Sequence, residues 1–138
     1  MPNQNKTILV VEDDDMLRTL LMEQIVNKYI AVPAKDGQEA IDQITQKQPD
    51  LIILDLLLPK VDGFQVLETL RAMPDPKVAA TPVIIVSNLS DDASIEKAQS
   101  YKIEAYFTKS DVTLGSLIHR IERVLNKEPG VNVNLITG

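Results

Sequence analysis

Residues 51–64 read LIILDLLLPKVDGF. Leu51, Ile52, Ile53 and Leu54 are all large and aliphatic, with no polar residue among them. A strand with one face in water alternates apolar and polar residues. A run without alternation predicts a strand covered on both faces, as in a parallel sheet packed between two layers of helices. Asp55 stands at the end of that run, where a carboxylate without a partner loses hydration at a cost in free energy. Further on, Phe64, Val66, Leu67 and Leu70 recur at helical spacing. Asp62 stands just ahead of them, placed to accept the unpaired N–H groups of a first turn.

Four more strand–helix pairs flank this one. Thr7–Val11 (TILVV), residues 29–34 (YIAVPA), residues 82–86 (PVIIV) and Ala105–Thr108 (AYFT) are the other apolar runs. Helical stripes lie between and after them: Met16, Leu17, Leu20, Leu21 and Ile25; Ala40, Ile41 and Ile44; a thinner one of Ile95, Ala98 and Tyr101; and Leu117, Ile118, Ile121, Val124 and Leu125. Asp14 or Asp15, Asp36, Asp91 and Asp111 stand where caps belong. The Pro74-Asp75-Pro76 segment reads as a stiff loop. The pattern is (βα)5, an α/β class in which right-handed crossovers give a doubly wound parallel sheet of expected strand order 2-1-3-4-5, the flavodoxin-like arrangement. Ligands of such sheets sit at the carboxyl ends of the strands, between strands 1 and 3.

The chain has 138 residues, 44% hydrophobic and 25% charged, which suits one globular domain. We expect that domain over residues 1–127, with 128–138 as a C-terminal tail or linker stub after the Pro129-Gly130 helix stop. Residues 131–135 alternate like a short edge strand, but a frayed tail is the ordinary reading. Fourteen Lys and Arg against twenty Asp and Glu leave a net charge of −6, which argues against direct nucleic-acid binding. No Cys is present, so thiolate chemistry and Cys-based metal sites are excluded. No apolar run approaches the roughly 18 residues of a membrane span, and the N-terminus carries no signal-peptide pattern. A soluble, cytoplasmic protein is expected.

If the sheet forms, Glu12-Asp13-Asp14, Asp55, Ser87 and Thr108-Lys109 converge on one rim. Carboxylates crowded there repel one another unless a cation neutralises them. Helix capping accounts for one or two of Asp13–Asp15 but not for Asp55. An all-oxygen ligand set without His or Cys points to a hard divalent ion, Mg2+ first and Mn2+ as an alternative. A carboxylate beside such an ion and an ammonium can accept a phosphoryl group as an aspartyl phosphate. Lys109 would neutralise phosphoryl oxygens and the Ser87 hydroxyl would bond another.

With these motifs the chain resembles the response-regulator receiver domains (CheY-like) of two-component phosphorelay signalling. The resemblance covers roughly residues 6–127 and rests on ILVVEDD, LIILDLLLPKVDGF, PVIIVSN and AYFTKS taken together. It implies Asp55 as phospho-acceptor and Asp13 as a direct metal ligand, with Glu12 acting largely through water. It further implies the Leu57 backbone carbonyl as the third protein ligand, Ser87 as switch hydroxyl, Lys109 as the bridging lysine and Tyr106 as aromatic switch. Pro59 and Asp62-Gly63 match the loop after the acceptor strand, and Asp14 a third acidic position not needed for metal. The implied phosphodonor is a sensor histidine kinase or a histidine phosphotransfer protein. The implied output is a changed strand-4/helix-4/strand-5/helix-5 face that controls a downstream protein or forms a homodimer. The chain would be a signalling phospho-acceptor and not a turnover enzyme.

Three positions depart from the family pattern. Ser110 follows Lys109 where a cis-bonded proline is usual; a cis non-prolyl bond costs about 2.5–4 kcal/mol, which leaves a trans bond open. Asn88 replaces a small residue after Ser87 and would crowd the site. Leu57 and Leu89 offer no side chain to orient an attacking water, so slow autodephosphorylation is expected.

Other readings fit less well. A haloacid-dehalogenase phosphatase needs a second acid two residues after its nucleophile, where this chain has Leu57. A dinucleotide-binding module needs a G-x-G-x-x-G turn, where this chain has Glu12-Asp13-Asp14. A receiver that no longer phosphorylates, acting purely as an interaction module, conflicts with the intact Glu12, Asp13, Asp55, Ser87 and Lys109. A receiver cut from a longer regulator or hybrid kinase is a further alternative. His119, Lys60, Lys77 and Lys102 read as solvent-facing positions.

Overall fold

The computed structural model describes residues 5–126, so the expectation for the C-terminal tail falls outside the described residues. Five parallel strands form one sheet in the order β2-β1-β3-β4-β5. They are β1 (Thr7–Val11), β2 (Ile30–Ala34), β3 (Leu51–Leu54), β4 (Val83–Ser87) and β5 (Ala105–Thr108). The helices are α1 (Asp15–Ile25), α2 (Gly37–Lys47), α3 (Gly63–Arg71), α4 (Pro76–Ala79), α5 (Asp92–Gln99) and α6 (Leu114–Leu125). The expected fourth and fifth helices are therefore α5 and α6.

The unalternating strands bury both faces because each face has its own helices. Leu9, Val11, Ile52, Leu54, Val83 and Ile85 pack with Ala40 and Ile44 of α2, Val66, Leu67 and Leu70 of α3, and Ala98 of α5. Ile8, Val10, Leu51, Ile53, Ile84 and Val86 pack on the other side with Leu21 and Ile25 of α1 and Leu117 and Ile121 of α6. Successive strand side chains point to opposite faces, so one aliphatic run feeds both cores. Register then sets the rim: Val11 pairs with Leu54, Leu54 with Ile85, and Ser87 with Thr108. The residues just beyond β1, β3 and β5 thus emerge side by side.

Three local expectations change. The segment read as a stiff loop leads directly into the one-turn helix α4, because Asp75 caps it and Pro76 opens its first turn. Arg71 anchors that turn: its Nη1 donates to the Ala79 and Thr81 carbonyls at 2.8 and 2.7 Å, and its Nε to the Tyr101 carbonyl at 2.8 Å. The cap of α6 is Thr113, which forms a reciprocal capping box with Ser116, and not Asp111. Asp111 instead accepts the Thr108 hydroxyl at 2.9 Å. Finally, Met16 and Leu20 of the first apolar stripe are exposed while Leu21 and Ile25 are buried. Eleven residues of α1 make only a narrow stripe of contact with the sheet, and Met16 sits in the first turn at its end. No helix among the described residues is long and apolar enough to cross a membrane.

Candidate functional site

Asp55 follows the last residue of β3 and is 2% exposed. Its Oδ2 accepts Lys109 Nζ at 2.7 Å, and its Oδ1 accepts the Leu57 N–H at 3.1 Å. Glu12 follows β1 and is equally buried. Its Oε1 lies 2.8 Å from the same Lys109 Nζ, and its Oε2 accepts the Asp14 N–H at 3.0 Å. The Glu12 carbonyl accepts Arg18 Nη1 at 2.8 Å, which no motif had marked, because Arg18 is an ordinary polar residue one turn into α1. Asp13 is exposed and completes the group. One carboxylate oxygen each from Glu12, Asp13 and Asp55 lie within 4.8 Å of one another.

The electrostatics follow from burial. Loss of hydration pushes the Glu12 carboxyl above its ordinary value, partly opposed by Lys109 and the Asp14 N–H and reinforced by the Asp55 charge. Burial alone would lower the Lys109 ammonium, yet its bonds to Asp55 and Glu12 prevail and hold it above the usual lysine value. Three carboxylates against one ammonium leave a formal excess of two negative charges. The donor set is hard oxygen throughout. A divalent cation such as Mg2+ fits both the charge and the ligand chemistry.

Asp14 has the capping role: its Oδ1 accepts the Met16 and Leu17 N–H groups at 2.9 and 3.1 Å. Leu57 is half exposed beside Asp55. Ser87 is fully buried, and its Oγ accepts the Leu89 N–H at 3.3 Å. The Tyr106 hydroxyl donates to the Leu89 carbonyl at 2.6 Å, and burial with the Asp91 and Asp55 charges pushes its pKa up. One peptide segment thus holds both expected switch groups. Asn88 is exposed, as is His119. No cis peptide occurs among the described residues, so the Lys109–Ser110 bond is trans, and Lys109 reaches both carboxylates with it. The bond from Lys109 N to the Ser87 carbonyl, 2.9 Å, fixes the start of that side chain.

Lys60, expected to be simply solvated, lies with its Nζ 3.6 Å from Asp36 Oδ2, and its backbone is left-handed at φ 66°.

Known proteins resemble this chain in sequence and in fold. Chemotaxis protein CheV2 of Helicobacter pylori is 31% identical over 117 residues, covering 79% of this chain and 36% of its own length. The chain spans less than two thirds of the curated relatives it matches. Among solved structures, the receiver domain of Francisella response regulator 1452 superposes with a TM-score of 0.78 at 27% identity, over 88% of this chain and 98% of that one. The phosphorylated cyanobacterial phytochrome response regulator RcpA gives a TM-score of 0.75 at 30% identity, over 86% and 92%. The family model for the response regulator receiver domain matches residues 8–122, from the second residue of β1 into α6, and the chain belongs to that family.

Proposed function

We propose that this chain takes a phosphoryl group from a histidine of a sensor kinase or phosphotransfer protein onto Asp55, and thereby switches the face built from β4, α5, β5 and α6. Receiver domains are signalling phospho-acceptors. The observation that carries the assignment to Asp55 is its buried carboxylate, bonded to Lys109 Nζ at 2.7 Å beside Glu12 and Asp13.

In this reading one Asp55 oxygen attacks phosphorus. The P–O bond forms as the P–N bond to the donor imidazole breaks, and the electron pair returns to that nitrogen. Lys109 neutralises charge on the phosphoryl oxygens and holds Asp55 in place. The buried Ser87 hydroxyl, accepting from Leu89, keeps its own proton to donate to a phosphoryl oxygen. Glu12, Asp13, Asp55 and the Leu57 carbonyl would hold Mg2+, which supplies neutralisation of the transferring group. Tyr106 would report the state of Ser87 through their shared partner, Leu89.

The domain is read as residues 1–127, with 128–138 as tail or linker to an output, and the kinase would meet it in the cytoplasm. Incubation with acetyl phosphate and Mg2+ should add a phosphate mass to the wild type and none to Asp55→Asn. Equal labelling of the two would reject Asp55 as acceptor. No labelling of either, in a protein that still binds partners, would favour a pure interaction module.

A further inference from the structure

The loop that runs from Asp55 to α3 carries Leu57, whose N–H bonds Asp55 Oδ1. Two glycines bracket it. At its inner end, Gly63 N donates to the Leu56 carbonyl at 2.9 Å. A Cβ on Gly63 would overlap the Asp55 carbonyl oxygen and stand 2.5 Å from Leu56 Cα. At its outer end the loop meets a different element, the turn from β2 into α2. There Gly37 N donates to the Pro59 carbonyl at 3.4 Å. A Cβ on Gly37 would overlap the Val61 carbonyl oxygen and stand 2.7 Å from Val61 Cβ. Gly37 is not in the left-handed region, so space alone demands glycine here.

The neighbouring side chains add a second tie. Asp36 is buried, caps α2 through the Glu39 N–H at 2.8 Å, and faces Lys60 Nζ at 3.6 Å. Lys60 itself turns the loop through a left-handed residue, a conformation that strains any residue but glycine and persists only when its surroundings hold it. Pro59, Lys60 and Val61 are therefore pressed against the start of α2, two to four residues from Leu57.

We infer that Gly37, with the Asp36–Lys60 pair, is a positioning element for the phosphoryl site: the bare start of α2 holds the Pro59–Val61 backbone and so sets the Leu57 peptide against Asp55. The inference rests on the proposed role of Asp55 and extends it to residues on another strand–helix turn. They touch no reacting atom and act only through the loop.

Metal-free and Mg2+-loaded protein together provide the test. Gly37→Ala should weaken Mg2+ binding, measured by calorimetry, by about 10-fold. It should also speed hydrogen exchange of the Leu57 amide in the metal-free protein. Lys60→Gly should do both in the same direction and to a smaller extent, with Tm close to wild type, because glycine relieves the left-handed strain while freeing the loop. This second variant decides alone if Gly37→Ala does not fold. Ile44→Val, which loosens α2 from its core side, should lower Tm and leave Mg2+ affinity unchanged. Wild-type values in both loop variants would overturn the inference, as would an equal loss of affinity in Ile44→Val. Failure of the wild type to bind Mg2+ at all would overturn the reading of the site as well, and is distinguishable from those outcomes.

Discussion

Lys109 holds two buried carboxylates with one ammonium, at 2.7 and 2.8 Å. Removing the cation leaves Glu12 and Asp55 charged, buried and 2% exposed. Lys109→Met should therefore destabilise the metal-free protein by roughly 3 kcal/mol at neutral pH in urea unfolding. The loss should shrink in acid, where the Glu12 carboxyl, pushed up by burial, gives up its charge. A loss independent of pH would mean that Lys109 matters through packing alone. Leu57 gives a prediction of opposite kind. Half exposed beside Asp55, it offers an apolar surface where an amide could orient water. The aspartyl phosphate should survive on the order of minutes or longer, and Leu57→Asn should shorten its lifetime, as followed by loss of the phosphate mass. Equal lifetimes of seconds in both proteins would dismiss the idea.

At the scale of elements, caps decide where helices begin, and through them where loops turn. Asp36 is the clearest case. The Glu39 N–H, with Lys60 nearby, outweighs its burial and holds its carboxyl below the ordinary value of 3.8. A carboxyl with a lowered folded-state pKa contributes stability that is fully present above the unfolded value. That stability is lost as pH falls through the folded one. Asp36→Ala should cost about 1 kcal/mol at neutral pH, and the difference from wild type should fade on acidification below pH 3.8. A chemical-denaturation series across that range checks the sign. The same logic explains the start of α6. Thr113 and Ser116 satisfy each other reciprocally, which leaves Asp111 free to tie off Thr108 at the end of β5.

Across the whole molecule, the excess of acid has a location as well as a magnitude. The net charge is −6, and the cluster of Glu12, Asp13 and Asp55, set against Lys109, holds an excess of two negative charges at one rim. Anything that neutralises that rim only in the folded state stabilises the fold. Mg2+ at a hundred times its Kd should raise the unfolding free energy by about 2.7 kcal/mol. Asp13→Asn should abolish most of that gain while barely changing the metal-free Tm, because Asp13 is exposed. A gain of equal size in the variant would place the ion elsewhere.

The unalternating runs at β1, β3 and β4 were sufficient to predict a two-faced sheet, since both faces of such strands must leave water. The acidic and lysine strand ends followed from the same topology, and Asp55, Glu12, Asp13 and Lys109 do converge. Composition and spacing stop there, because they carry no information on distance between segments remote in sequence. Folding alone brings Lys109 Nζ within bonding reach of Glu12 and Asp55 across a trans bond to Ser110. It alone joins Ser87 and Tyr106 through Leu89. It also sets Gly37 against Val61, a contact 24 residues apart that no local pattern marks. Periodicity records which side chains leave water, whereas the close approach of backbone to backbone is decided by packing of elements, and glycine at position 37 has meaning only once that packing exists.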